Sequence, residues 1–253
     1  MRITRAVVPT LFTVLNMLCG FLSIVQTSEG HFAEASYFIL MAGLFDALDG
    51  MMARLTKSSS QFGVEIDSLS DVVSFGAAPA FLVYKLHLYQ FQEWGLIISS
   101  LLMIMGGIRL ARFNVQLVGF DKDYFVGLPI PSSAFAIVSF VLTFLDETNH
   151  LEPFAASMLA PLSVILSLIM VSKVKYDTLP KFSAKGIRKH PVKAISFFFC
   201  VLLIVFTKGN ALFYLFAAFI LFGLLRYMVH AVFRPVQKDV KEIEQEEAPS
   251  YDV

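Results

Sequence analysis

Four aspartates stand close together in an otherwise apolar part of the chain. They are Asp46, Asp49, Asp67 and Asp71. A carboxylate that stays charged and unpaired inside a membrane helix costs at least ~2.5–3.5 kcal/mol, so four together require either water or bound cations. Carboxylate oxygens are hard ligands that suit Mg²⁺, Mn²⁺ or Ca²⁺ rather than a soft metal. The group therefore predicts a divalent-cation site.

Helical spacing turns these carboxylates toward one point. At about 100° per residue, each pair of aspartates shares a face of its helix with small residues, and the first face is about 140° wide. Two antiparallel helices joined by a short loop would point both faces at one site. The first face holds Asp46, Asp49, Gly50, Ala53 and Arg54, and the second holds Gly63, Asp67, Asp71 and Ser74.

The neighbours of the aspartates suit a phosphate-bearing substrate. Gly50 and Gly63 would let a ligand approach the backbone, although close packing of two helices also favours glycine. The planar guanidinium of Arg54 could clasp a phosphate with two hydrogen bonds, although a charge that anchors the helix end is an alternative. Metal ions would neutralise phosphate oxygens, and a spare carboxylate could act as a base. This combination is what a pyrophosphate substrate requires.

Taken together, these residues resemble the signature of the CDP-alcohol phosphotransferase family. Every fixed position of that signature is present. It reads Asp46-x2-Asp49-Gly50-x2-Ala53-Arg54-x8-Gly63-x3-Asp67-x3-Asp71.

The resemblance implies roles for individual residues. In that family the first three aspartates bind a pair of metal ions, and the fourth contacts one metal and serves as the base. It thus implies two divalent ions, Mg²⁺ or Mn²⁺, on Asp46, Asp49, Asp67 and Asp71, with Asp71 also as the catalytic base. It further implies that the CDP moiety is bound by Gly50, Arg54, Ser60, Gly63 and Thr10.

Flanking segments point to the acceptor alcohol. Three segments are similar to the phosphatidylserine synthase branch of the family. They are LFTVLNMLCGFLSI, DSLSDVVSFGAAPA, and IRLARFN followed by GLPIP. That branch usually has Asn where this chain has Thr10. The implied reaction joins CDP-diacylglycerol and L-serine to give phosphatidylserine and CMP. Arg109, Arg112 and Asn114 are candidates for binding the serine carboxylate or a lipid phosphate, with cytoplasmic anchoring as the alternative for the two arginines.

The chain as a whole has the composition of a membrane protein. Of its 253 residues, 57% are hydrophobic and only 16% are charged. A bilayer core needs roughly 20 apolar residues in a helix. This length predicts an all-α bundle of about eight transmembrane helices over residues 1–235, followed by a charged cytoplasmic tail over residues 236–253. The predicted spans are 8–26, 35–55, 65–84, 94–114, 131–146, 154–173, 194–208 and 210–233.

The basic residues predict how the bundle is oriented. With both termini in the cytoplasm, all of the 20 Lys and Arg except Lys85 and Lys208 fall on the cytoplasmic side. This arrangement places the aspartates where nucleotide and serine are available. We expect a multi-pass protein of a prokaryotic inner membrane, in contact with membrane lipids and without a nucleic-acid partner. The resemblance also implies a homodimer.

Two alternatives remain open at this stage. A related enzyme that uses glycerol 3-phosphate, inositol or choline would share the whole aspartate signature. A divalent-cation transporter would also place carboxylates in the membrane, but it would need neither Arg54 nor the glycines. A transporter would also place its ligands at the bilayer midplane, whereas these aspartates lie toward the cytoplasmic half.

Overall fold

The structure is a computed structural model that describes residues 7–56, 61–116, 124–146, 148–177 and 211–233. Helices dominate this part of the chain. A π-helical segment, Val72–Ala77, joins α3 to α4, and a 3₁₀ turn, Leu88–Phe91, precedes α5. The helices are α1 (Val7–Glu29), α2 (Phe32–Thr56), α3 (Gln61–Asp71), α4 (Ala78–Leu86), α5 (Gln92–Gln116), α6 (Ile130–Phe144), α7 (Pro153–Val171) and α8 (Ala211–Phe233).

The helices agree with the membrane spans expected from the sequence. Within the described residues, six helical stretches are long and apolar enough to cross a membrane, and α3, the π-helical segment and α4 together form one of them. α6 has only 15 residues, which matches the short fifth span. The helical membrane fold is therefore confirmed. The predicted span at 194–208 and the tail at 236–253 lie outside the described residues.

A tight turn between α1 and α2 makes them antiparallel neighbours. The α1 helix ends in a Schellman motif, in which the amide of Gly30 donates to the carbonyl of Thr27 and the amide of His31 to that of Gln26. Gly30 has a φ of +86°, which a residue with a side chain rarely adopts. The turn lets α1 pack along α2, the helix that carries the first two aspartates.

The α1 helix also packs closely against the π-helical segment. A Cβ on Gly20 would clash with the backbone and side chain of Ser74, so only glycine permits this approach. The side chains of Ser70 and Ser74 donate to the carbonyl oxygens of Thr13 (3.1 Å) and Asn16 (2.9 Å). α1 is thereby fixed to the helix that carries the second pair of aspartates.

Two short strands were not expected from the sequence. β1 (Tyr124–Val126) pairs antiparallel with β2 (Lys175–Asp177). The GLPIP segment then leads into α6, where Gly127 has a φ of +82° and Pro131 occupies the first turn, as proline can. The residues before α6 thus form a strand and a turn that pack beside the end of α7.

Aromatic rings pack the C-terminal helices together. The ring of Phe213 on α8 lies 5.3 Å from that of Phe140 and 5.8 Å from that of Phe144, both on α6. Phe135 on α6 contacts Phe216 on α8 (5.7 Å). This side of the bundle is held by apolar packing.

Candidate metal centre

Three of the four aspartates meet at one point between α2 and α3. Asp46 and Asp49 come from α2 and Asp67 from α3, and each offers a carboxylate oxygen within 4.8 Å of the others. Asp49 is buried, with 7% of its surface exposed, and the other two are partly buried. The i, i+3 spacing puts Asp46 and Asp49 on one face of α2, and Asp67 on α3 lies next to that face. Helical spacing, together with the expected pairing of two helices, predicted that the aspartates converge, and three of the four do so here.

The charge of this cluster calls for a cation. The carboxylates of Asp46, Asp49 and Asp67 lie within 4.8 Å of one another in a site that is at least partly buried, so three acidic groups share little space there. Among the described residues, the buried Oδ1 of Asp67 has no hydrogen-bond partner. A buried carboxylate oxygen without a donor is costly unless something outside the chain satisfies it. Three converging hard oxygens, one of them unsatisfied, fit a divalent ion such as Mg²⁺ or Mn²⁺.

Asp71 lies one helical turn beyond Asp67 and is 8% exposed. Its carboxylate is repelled by the other three aspartates, and its Oδ1 lies 3.5 Å from the Nδ2 of Asn16, which donates to it. The backbone changes from α-helix to π-helix immediately after Asp71. Single π-helical turns are frequent at functional sites because they displace the residues that follow. Asp71 thus borders the three-carboxylate cluster on the side of α1.

The α1 helix supplies two polar side chains that the sequence analysis did not single out. The hydroxyl of Thr13 donates to Oδ2 of Asp49 over 3.0 Å, and Asn16 donates to Asp71. Both residues are buried. Their three-residue spacing within an apolar run places them on one helix face, and this signal could have identified them.

Three of the residues expected to bind CDP lie on α1, α2 and α3. Gly50 and Gly63 are partly buried on α2 and α3, and Thr10 is partly buried on the first turns of α1. Arg54 belongs to the last turn of α2, and its side chain lies outside the described part of the structure. Ser60 also lies outside the described residues. The CDP assignments therefore stay predictions.

The three candidate acceptor residues on α5 have different surroundings. Arg109 is 5% exposed, interacts electrostatically with Asp71, and its guanidinium carbon lies 5.8 Å from the ring centre of Phe113. Arg112 donates instead to the backbone carbonyls of Val171 (2.9 Å) and Val126 (3.1 Å). Arg109 therefore lies within electrostatic range of Asp71, whereas Arg112 joins α5 to the end of α7 and to β1.

Asn114 joins α5 to the aspartate helix. Its Nδ2 donates to Oγ of Ser68 over 2.8 Å, and that hydroxyl donates in turn to the carbonyl of Val64. Ser68 directly follows Asp67 in the sequence. The contact thus ties the end of α5 to α3 beside the metal-site carboxylates.

Comparisons with known proteins identify the family to which the chain is similar. The family model described as CDP-alcohol phosphatidyltransferase matches residues 6–170. The chain is 35% identical to a CDP-diacylglycerol–serine O-phosphatidyltransferase of Helicobacter pylori over 222 residues, which cover 87% of this chain and 90% of that protein. It is 38% identical to the archaetidylserine synthase of Methanothermobacter thermautotrophicus over 179 residues, or 70% of this chain and 72% of that protein.

A solved structure resembles the chain more distantly. The crystal structure of Mycobacterium tuberculosis phosphatidylinositol phosphate synthase with CDP-DAG bound covers 67% of this chain and 85% of its own. The TM-score is 0.48 and the identity 19%. This likeness is too weak for any contact to be transferred from one structure to the other.

Proposed function

The chain belongs to the CDP-alcohol phosphatidyltransferase family, and on that premise we propose that it transfers the phosphatidyl group of CDP-diacylglycerol to L-serine. The products are phosphatidylserine and CMP. The observation that carries the proposal is the convergence of Asp46, Asp49 and Asp67 beside the buried Asp71. The chain that holds these residues is similar over most of its length to enzymes named for this reaction.

The aspartates would hold the cofactor. Asp46, Asp49, Asp67 and Asp71 are the proposed ligands of two divalent ions, Mg²⁺ or Mn²⁺. When bound, such ions neutralise phosphate oxygens and stabilise the leaving group. The carboxylates cannot all stay charged side by side in an apolar bundle without such compensation. The unsatisfied Oδ1 of Asp67 supports this assignment.

Asp71 would act as the general base. Its carboxylate would accept the proton of the serine hydroxyl as that oxygen attacks the β-phosphorus. A new P–O bond forms to serine, the P–O bond to CMP breaks, and CMP leaves with the electron pair. The amide of Asn16, which donates to Asp71, would hold the carboxylate toward the reacting oxygen.

The donor nucleotide would lie along the cytoplasmic ends of α1, α2 and α3. Gly50 and Gly63 would let the CDP moiety approach the backbone, and Arg54 would bind its phosphates. Ser60 and Thr10 would add hydrogen bonds. A threonine in the place of the usual Asn supplies a shorter polar group at this position.

Arg109 is the best-placed group for the acceptor. A buried arginine suits a carboxylate because its planar fork donates two parallel hydrogen bonds. Arg109 interacts electrostatically with Asp71, so a carboxylate bound there would place the serine hydroxyl near the proposed base. Arg112 and Asn114 would act indirectly, since they fix α5 to α7, β1 and α3.

The protein is an integral multi-pass membrane protein. We place it in a prokaryotic inner membrane with both termini in the cytoplasm, because the positively charged residues then lie almost entirely on the cytoplasmic side. We also propose a homodimer, as the family resemblance implies. The residues at 1–235 would form the catalytic membrane domain and those at 236–253 a cytoplasmic tail.

An acceptor panel tests the function. Purified protein would receive CDP-diacylglycerol, a divalent cation and one acceptor at a time: L-serine, glycerol 3-phosphate, inositol or choline. Lipid products would be identified by mass spectrometry and CMP would be quantified. We expect CMP and phosphatidylserine with serine only. CMP release with another alcohol and none with serine would leave the family intact but overturn the acceptor assignment.

A further inference from the structure

Thr13 on α1 contacts the metal-site carboxylates although it lies outside the aspartate signature. Its hydroxyl donates to Oδ2 of Asp49 over 3.0 Å, and only 4% of its surface is exposed. This hydrogen bond restricts the rotation of the Asp49 carboxylate about its side-chain bonds. The Asp49 carboxylate is thereby held beside those of Asp46 and Asp67.

A competing acceptor lies within reach of the same hydroxyl. The carbonyl oxygen of Pro9, one turn earlier on α1, is 3.2 Å from the Oγ1 of Thr13. A hydroxyl has one proton, so the two acceptors compete for it. Hydrogen bonds to an ionised carboxylate are roughly twice as strong as those between neutral groups. The shorter contact and the negative charge therefore both favour Asp49.

The position of Thr13 is itself fixed from the opposite side. The carbonyl of Thr13 accepts a hydrogen bond from Ser70, which is adjacent to Asp71. Ser74 binds the carbonyl of Asn16 in the same way, and Gly20 lets the helices approach closely. Thr13 thus links α1 both to Asp49 on α2 and to the end of α3. A residue held on two sides can restrict the orientation of the carboxylate that it contacts.

We propose that Thr13 is a positioning residue that orients Asp49 as a ligand of the divalent cation. This inference rests on the metal site in the proposed function and adds α1 to that site. In metal sites of known chemistry, loss of a group that hydrogen-bonds a ligand costs about 10-fold to 100-fold in metal affinity. The expected change in metal affinity depends on the hydroxyl of Thr13 and not on the volume of its side chain.

Direct cation binding tests this role without an activity assay. Full-length protein in detergent would be titrated with Mn²⁺, and free Mn²⁺ would be followed by electron paramagnetic resonance. Thr13→Val removes the hydroxyl at almost constant volume, and Thr13→Ser retains it. Thr27→Val is the matched control, because Thr27 is buried on the same helix and its hydroxyl has no partner among the described residues.

The expected result is a Mn²⁺ Kd raised about 10-fold or more by Thr13→Val and left within about twofold by Thr13→Ser and Thr27→Val. If Thr13→Val does not fold, Thr13→Ala gives the same comparison, with thermal melting as the check on folding. Equal Mn²⁺ affinity in folded Thr13→Val or Thr13→Ala and in the wild type overturns the inference and leaves the metal site standing. A wild-type protein that binds no Mn²⁺ overturns both.

Discussion

Different forces hold together the N-terminal helices α1, α2 and α3, here called the polar end, and the C-terminal helices α6 and α8, here called the aromatic end. Around α1, α2 and α3, buried side chains form hydrogen bonds from one helix to the next, as between Thr13 and Asp49 or Ser70 and Thr13. Around α6 and α8, phenylalanine rings pack at 5.3–5.8 Å without polar contacts between them. Directional hydrogen bonds fix atoms in place, whereas apolar packing tolerates small shifts.

This contrast shows where the chemistry belongs. A cation site and a proton acceptor need carboxylates in fixed orientations, and the polar end supplies them. The aromatic end would stabilise the bundle and shield it from lipid. Substitutions at the polar end should therefore change reaction rates and substrate binding, and substitutions at the aromatic end should change stability.

The largest effect is expected from Asp71→Asn. The amide keeps the shape of the side chain but cannot accept the serine proton, and general-base catalysis contributes about 10²-fold to 10⁴-fold. We expect CMP release to fall by that factor while the protein remains folded. Glu65→Gln is the control, since Glu65 is an exposed carboxylate on the same helix. An Asp71→Asn protein with the wild-type rate would remove Asp71 from the role of base.

A smaller and more selective effect is expected from Arg109→Lys. Lysine keeps the charge near Asp71 but loses the two-pronged geometry, and a hydrogen bond to a charged group is worth about 1.5 kcal/mol or more. We expect the KM for serine to rise about tenfold and the KM for CDP-diacylglycerol to stay constant. Steady-state kinetics with each substrate varied in turn would measure both.

Arg112→Lys provides the comparison for Arg109. Arg112 donates to the carbonyls of Val171 and Val126, so its loss should lower the thermal stability and leave the KM for serine unchanged. If Arg112→Lys raises the KM for serine and Arg109→Lys does not, the two arginines have been assigned the wrong way round.

Gly20→Ala tests the close approach at the polar end. The added Cβ would clash with Ser74, and overpacking of this kind costs about 1–3 kcal/mol. We expect a lower melting temperature together with lower activity, because α1 would move away from the aspartates. Gly107→Ala on α5 should lower neither, since a Cβ there would meet no atom of the described structure within 4 Å and alanine favours the helix. Equal behaviour of the two variants would show that α1 need not pack so closely.

The smallest effect is expected at the aromatic end. Phe213→Leu removes ring contacts with Phe140 and Phe144 that are worth about 0.5–1.5 kcal/mol beyond the buried area. We expect slightly lower thermal stability in detergent and unchanged CMP release in membranes. A large loss of activity in a folded Phe213→Leu protein would contradict the division between the two ends.

The sequence was sufficient to predict most of the fold and the core of the site. Long apolar runs predict membrane helices because a bilayer has a fixed thickness, and the structure confirms those that fall in its described residues. The spacing of Asp46, Asp49 and Asp67 predicted their convergence because a helix has a fixed period.

The remaining features depend on contacts between distant segments. Neither Thr13 nor Asn16 could be assigned to an aspartate from the sequence, because the pairing depends on how α1 rotates against α2 and α3. The β1–β2 pair joins segments about 50 residues apart, and three-residue strands leave no periodic signal. The backbone partners of Arg112 were hidden for the same reason.

One measurement tests the central claim that the aspartates hold cations which make CDP-diacylglycerol reactive toward serine. Purified protein would be freed of metal with a chelator and supplied with CDP-diacylglycerol and serine, and CMP would be measured as Mg²⁺ or Mn²⁺ is added back. We predict no serine-dependent CMP in excess chelator and full recovery with the added cation. Serine-dependent CMP release at the wild-type rate in excess chelator would contradict the account.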